Sequence, residues 1–250
     1  MLRLTMFARI VGILLFCLIG AVLSQALDAN ASSLNAPSAR SRCERAFGIE
    51  KLTSDARKQL ERGETVMAVE SKTDSPFHMI YGMRLMRADA ELAMAVISAF
   101  GEQKNHISAI IESSVEAMQG NFTRVNYEIY VDHPLVPNSR FTSNVFTNKD
   151  SDGGYLQYWN LANSEGISRL AFADGYARTV PSGSGALLVF CSYNVPALEV
   201  YVDVSNKLSS RSLEKSITEM GEWAESVARD SKAGEAYLRA FRRMIGVSRD

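Results

Sequence analysis

The chain has 250 residues, with 27 Lys and Arg against 28 Asp and Glu, for a formal net charge of −1. So nearly neutral a protein carries no broad positive field for gathering nucleic acid, which excludes that class of partner. The 3 histidines and 3 cysteines form no HExxH, CxxC or comparable ligand spacing, so the sequence calls for no metal and no cofactor.

The N-terminus reads as an address. Arg3 and Arg9 precede an apolar run from Ile10 to Leu23, relieved only by Gly12 and Gly20. Small and polar residues follow, from Ser24 through Ala31. That is the order of a secretory signal: charged region, apolar region, small-x-small cleavage site. The run is shorter than the ~20 residues a spanning helix needs. Cleavage after Ala26 or after Ala31 satisfies the rule, and the alternative is an uncleaved membrane tether. Cys17 is no lipidation site, because Phe16 stands before it where a small residue is required. Residues 1–31 are therefore set aside from the fold, and the protein is expected outside the cytoplasm, in a bacterial periplasm or secreted. The mature chain of ~220 residues is enough for one domain with a real core.

Residues 32–41, rich in Ser, Ala, Asn and Pro, read as a disordered lead-in. A polar helix is expected over 42–62, stopped by Gly63. Glu64–Glu70 and the alternating Phe77, Met79, Tyr81, Met83 and Leu85 predict a hairpin around Asp74-Ser75-Pro76. Asp89 is placed to cap a helix carrying Leu92, Val96 and Phe100 on one face, ended by Gly101. A second short helix or turn spans 104–111.

From Glu112 to Val195 the signal is almost wholly strand: 113–118, 122–131, 140–148, 154–162, 167–173 and 185–195. The breaks hold Gly120-Asn121, Pro134 and Pro137, Asp152-Gly153-Gly154, Glu165-Gly166 and Pro181-Ser182-Gly183. Val125, Tyr127, Ile129 and Val131 alternate with Arg124, Asn126, Glu128 and Tyr130, which predicts an antiparallel sheet with one apolar and one wet face. Short strands without intervening helices exclude a doubly wound parallel sheet. After Pro196, the spacing of Leu213, Ile217, Met220, Ala224 and Val227 predicts a long amphipathic helix. Gly234 is expected to separate it from a last helix carrying Leu238, Phe241, Met244 and Ile245. Over 231–250 the cations Lys232, Arg239, Arg242, Arg243 and Arg249 outweigh Glu235 and Asp250. Such a basic amphipathic helix can lie on an anionic membrane or simply cover the fold.

This order resembles the START-like, or SRPBCC, helix-grip superfamily. The likeness rests on Leu60-Glu61-Arg62-Gly63-Glu64 before the first strand, Ala88-Asp89-Ala90-Glu91-Leu92 opening the first helix, Glu102 to Ile107 followed by Ser113-Ser114-Val115, and Tyr176 to Phe190 around the last turn. It covers roughly 60–230, within a domain taken as 42–230. The resemblance implies an α+β fold in which a curved antiparallel sheet wraps a long C-terminal helix. It also implies a cavity between them for lipids, polyketides or other apolar ligands.

Candidate ligand contacts follow from that expectation. Tyr155 and Trp159 share a strand face, with Tyr158 on the other. Aromatics suit a ligand pocket because they offer large apolar area with a polar tip. Met83, Tyr127, Phe190 and Met220 are candidates from neighbouring elements, although one sequence does not say which strand face points inward. Arg169 interrupts an apolar run and could anchor a carboxylate or phosphate, or stand on the solvent face. Ser182-Gly183-Ser184-Gly185 lies between Pro181 and a strand, so it reads as a turn rather than a phosphate cradle. His78, His106 and His133 are scattered. Cys43 and Cys191 can pair in an oxidising compartment, the alternative being a buried thiol at Cys191.

Three functional readings remain: an exported binder of a lipid or other apolar ligand, an aromatase/cyclase-type enzyme using an Arg, His or Tyr as acid or base on a polyketide-like substrate, and an interaction module whose interior is filled by its own side chains. Export argues against the second, because that chemistry relies on cytoplasmic carrier proteins.

Overall fold

A computed structural model describes residues 52–72, 75–131, 137–197 and 202–247. The expected signal segment, the lead-in, the start of the first helix, Cys43 and His133 lie outside the described residues.

Helix α1 (Ser54–Glu61) is capped by Thr53, whose hydroxyl accepts from the Ala56 N–H at 3.2 Å, and ends before Gly63. Strands β1 (Val66–Lys72) and β2 (Ser75–Met86) form the expected hairpin. Asp89 accepts from the Leu92 N–H at 2.8 Å and starts α2 (Ala90–Ile97). This cap satisfies one of the helix's orphan donors. Seven of the eight α2 residues are buried, all but Glu91. A single 3₁₀ turn at Phe100–Glu102 leads into the four-residue α3 (Gln103–His106).

Six strands follow: β3 (Ile110–Gln119), β4 (Phe122–Ile129), β5 (Ser139–Lys149), β6 (Tyr155–Glu165), β7 (Leu170–Ser182) and β8 (Gly185–Pro196). Gly120 at φ 57° and Gly183 at φ 57° turn β3 into β4 and β7 into β8, in the left-handed region that glycine alone enters freely. The Ser182–Gly185 stretch is thus a hairpin turn. Strand β7 runs nine residues past the segment expected to end at Ala173.

All eight strands form one antiparallel sheet in the order β1-β2-β8-β7-β6-β5-β4-β3. The register shifts in the β1–β2, β3–β4, β5–β6 and β7–β8 pairs; in β3, β6 and β7 an extra residue, such as Ala162 of β6, bends the strand and increases its twist. Helix α4 (Val202–Arg229) lies along β2 and is followed by α5 (Ser231–Met244). The expected architecture, a curved antiparallel sheet with a long C-terminal helix and short helices after the first hairpin, is the one found.

Two details differ from expectation. The break between the last helices falls at Asp230, which caps α5 by accepting from Lys232 and Ala233 at 3.0 and 3.1 Å. Gly234 instead lies inside α5, where a Cβ would meet the Val227 carbonyl at 3.7 Å and Leu92 at 3.8 Å, ordinary contact distances. Second, the sheet is wet on one face only toward β3–β6. At β2, β7 and β8 both faces are buried. On the face away from α4, Met79, Tyr81, Met83, Tyr176, Leu187 and Val189 form a second core onto which Leu52 and Leu60 pack. Cys191 belongs to that second core and is fully buried and disulfide-bonded, the paired state that the sequence left open beside a buried thiol.

Candidate functional site

The face of the sheet toward the helices is built from alternate residues: Gly82, Arg84 and Met86 of β2, Leu188 and Phe190 of β8, Ala177 of β7, Trp159 and Tyr155 of β6, Val145 of β5, and Val125 and Tyr127 of β4. Helix α4 covers the β2–β8 half of this face at close range. A Cβ at Gly82 would lie 2.1 Å from Ile217 Cδ1, and one at Gly221 would lie 2.3 Å from Arg84 Nε. Side chains tie the helix along β2. Asn206 accepts from the His78 N–H and donates to the Pro76 carbonyl, both at 3.0 Å, and Glu225 accepts from the Arg87 N–H at 3.1 Å. Beneath α4 the space is filled by Leu188, Phe190, Ile217, Met220, Trp223 and Ala224.

The other half of the face is covered differently. Val125, Val145 and Tyr155 pack under Met94 and Ala95 of α2, Phe100, and Phe241 and Met244 of α5. Phe241 meets the Tyr155 ring edge to face at 5.2 Å. Trp159 bridges the halves. It packs on Phe190 at 4.9 Å, and Gly175 on β7 gives its ring room, since a Cβ there would be 2.4 Å away.

Polar groups on this inner face serve the helices. Tyr127 donates to Gln103 Oε1 at 2.9 Å, and Gln103 in turn donates to the Ile97 carbonyl at 2.7 Å. Gln157 donates to Ser98 at 2.9 Å and to Thr147 at 3.2 Å. Buried polar atoms need such partners, and here they also satisfy the end of α2. Burial pushes the Tyr127 hydroxyl well above its ordinary range, so it stays protonated. Tyr155 is likewise raised, first by burial and then by the Glu91 carboxylate beside it.

An apolar cleft of about 530 Å³ opens between α5, the end of α2 with its 3₁₀ turn, and β3. Its walls are mostly small or apolar: Ala95, Phe100, Val115, Met118, Ala236 and Phe241. Met118 is 56% exposed at its mouth. The volume lies in the range of small-molecule sites. A second hollow of about 300 Å³ on β3–β6 is polar, lined by groups such as Glu128, Arg140 and Asn163. Among the described residues no cluster of His, Cys, Asp and Glu could hold a metal, and no helix is long and apolar enough to cross a membrane.

Five of the seven candidate residues meet on the inner face or on the helix above it: Tyr127, Tyr155, Trp159, Phe190 and Met220. Two do not. Met83 points the other way into the second core, because β2 alternates and Gly82 and Arg84 take the inner positions. Arg169 lies in the turn between β6 and β7, exposed, with its carbonyl accepting from the Ala197 N–H at 2.9 Å. His106 stacks on Trp223 at 4.1 Å between ring centroids, and Trp223 meets Tyr237 edge-on at 5.9 Å. Of the α5 residues that line the cleft, Phe241 and Met244 were visible as part of an apolar helix face, but not as neighbours of Phe100 and Val115.

No family model matches the chain, and no curated protein does. Solved structures do match. Human STARD10 aligns at TM-score 0.63 and 14% identity, over 84% of this chain and 87% of that one. A STAR-related lipid transfer protein from Xanthomonas axonopodis aligns at 0.59 and 14%, over 64% and 93%. Human StAR-related lipid transfer protein 5 aligns at 0.55 and 10%, over 79% and 98%. Likeness at this level of identity establishes the fold, which is the START-like helix grip.

Proposed function

We propose that this chain is an exported, START-like protein that binds one lipid or other apolar molecule and hands it on within the cell envelope. The observation that carries the reading is the apolar cleft of about 530 Å³ beside the inner face of the sheet. Solved structures of the same fold include proteins described as lipid transfer proteins, and the N-terminal pattern supports export. Apolar burial drives binding, at roughly 25 cal/mol per Å² removed from water. A ligand entering beside Phe241 comes next to Tyr155 and then Trp159, so these two, with Tyr127, Phe190 and Met220, are the proposed ligand contacts. No catalytic step is required. The cations Lys232 and Arg243 on α5, beside Arg239 and Arg242 that pair with Glu235 and Glu91, support a peripheral contact with an anionic membrane during exchange.

Native mass spectrometry of protein exported through its own leader, followed by lipid extraction, tests the reading. A bound lipid, or uptake of labelled lipid by the emptied protein, is the expected result. Protein that comes off empty and takes up no labelled lipid overturns it.

A further inference from the structure

Helix α5 closes part of the inner face of the sheet. The β4–β6 part of the inner face is closed by the α5 side chains Phe241 and Met244, which are 2% and 9% exposed. One wall of the cleft is α5 itself, from Ala233 to Met244. Phe241 thus lines the open cleft on one side and packs on Tyr155 on the other, with Met244 beside it in both.

Helix α5 is seated less deeply than α4. Of its 14 residues three are buried, Gly234, Phe241 and Met244, while Ala233, Tyr237 and Leu238 are half-buried against the inner clusters. Helix α4, by contrast, is seated by Ile217, Met220, Trp223, Ala224 and Val227. Two polar contacts hold α5 down, and both reach solvent. Arg242 grips Glu91 of α2 with two hydrogen bonds of 2.7 Å, the side chains being 35% and 25% exposed. Tyr237 donates to Glu102 at 2.5 Å. A single non-helical residue, Asp230 at φ −108° and ψ 98°, joins α5 to α4 and is the natural hinge. Glu91 also faces the Tyr155 hydroxyl, so the latch touches the proposed ligand space directly.

We infer that α5 is a built-in gate: it swings about Asp230, Phe241 leaves the inner face, and the cleft joins the space over Tyr155 and Trp159 to make the full ligand chamber. The inference rests on the ligand-binding reading above and specifies its regulation. Closed, the helix keeps the apolar inner face dry when no ligand is bound. A bound apolar chain replaces the contacts that Phe241 and Met244 give up.

The latch offers a test that leaves the apolar lining intact. Glu91→Gln and Arg242→Gln each remove the ion pair, and the double swap Glu91→Arg with Arg242→Glu restores it with reversed polarity. Hydrogen exchange over 231–244 in the full chain reads the opening, and association of cis-parinaric acid, a fluorescent fatty acid, reads access. Both single variants are expected to exchange faster in α5 and to take up the probe about two- to fivefold faster, as befits a partly exposed ion pair. The swap should return both readouts toward those of the parent protein, an effect that a merely stabilising role elsewhere does not produce. Faster exchange with unchanged uptake rates overturns the gate while leaving the ligand reading intact. Failure of the parent and every variant to bind the probe overturns both.

Discussion

The seat of α4 on β2 can be tested at one pair of atoms. Building a Cβ on Gly82 puts it 2.1 Å from Ile217 Cδ1, 3.1 Å from Met67 Sδ and 3.6 Å from Ile217 Cγ1. The first distance is an overlap, the second tight, and the third ordinary contact. Gly82→Ala should therefore cost about 1–3 kcal/mol, the range for overpacking a close-packed core. Ile217→Val removes Cδ1 from a fully buried site and should cost about 0.5–1.5 kcal/mol alone. In the double variant the overlapping atom is gone. Only the Met67 sulfur remains close, at the end of a flexible side chain. The double variant should thus be more stable than the sum of the singles predicts, by about 1–2 kcal/mol, since residues in direct contact couple in this range. Urea denaturation followed by the emission of Trp159 and Trp223 measures all four corners of the cycle. Additivity within about 0.5 kcal/mol would refute the claim that α4 is seated on β2 through this contact.

Arg84 is buried on the same interface with its Nε lacking a partner. Arg84→Met should be neutral or stabilise the fold by about 1 kcal/mol, as replacing a buried charged side chain by an apolar one of similar volume does; a loss above 2 kcal/mol in the same denaturation assay would contradict it. Asp89→Ala removes the α2 cap and should cost about 1 kcal/mol, visible as a lower unfolding midpoint at an unchanged m-value. The Arg242 guanidinium holds the Glu91 carboxyl below its ordinary 4.5. That contribution to α5 docking is present above pH 4.5 and is lost as pH falls through the depressed value, while Arg242 stays charged. Hydrogen exchange over 231–244 should accordingly quicken, relative to β8, only at the acid end of a titration. Reducing the Cys191 disulfide should lower stability by about 2–4 kcal/mol. Peptide mapping of the unreduced mature protein should join Cys191 to Cys43, and a free thiol at Cys191 would contradict that pairing.

Much of the fold was legible along the chain because it depends on local chemistry. Asp89 caps α2 as its position before an apolar helix predicts, and the alternation of Val125 and Tyr127 with Arg124 and Asn126 does set β4 across a two-sided surface. The spacing of Ile217, Met220, Ala224 and Val227 identified the buried stripe of α4. Gly234 misled, because a glycine in a helical pattern gives the same signal whether it ends the helix or lies within it.

The site was less legible. Period-two alternation says that Met83 and Arg84 face opposite ways, but not which of them faces α4. A sheet buried on one side would leave the apolar set inward. Here β2, β7 and β8 are buried on both sides, so Met83 went to the second core and Arg84 went under the helix. Tyr155 and Trp159 were paired correctly from their spacing, but their neighbour Phe241 lies some eighty positions away. What residues within one element can do is written in their spacing, because 3.6 and 2.0 residues per repeat fix which side chains share a face. Which faces meet is decided by the whole chain. The edge-to-face contact of Phe241 with Tyr155 exists only because the chain leaves helical geometry at Asp230 and α5 packs over the completed sheet.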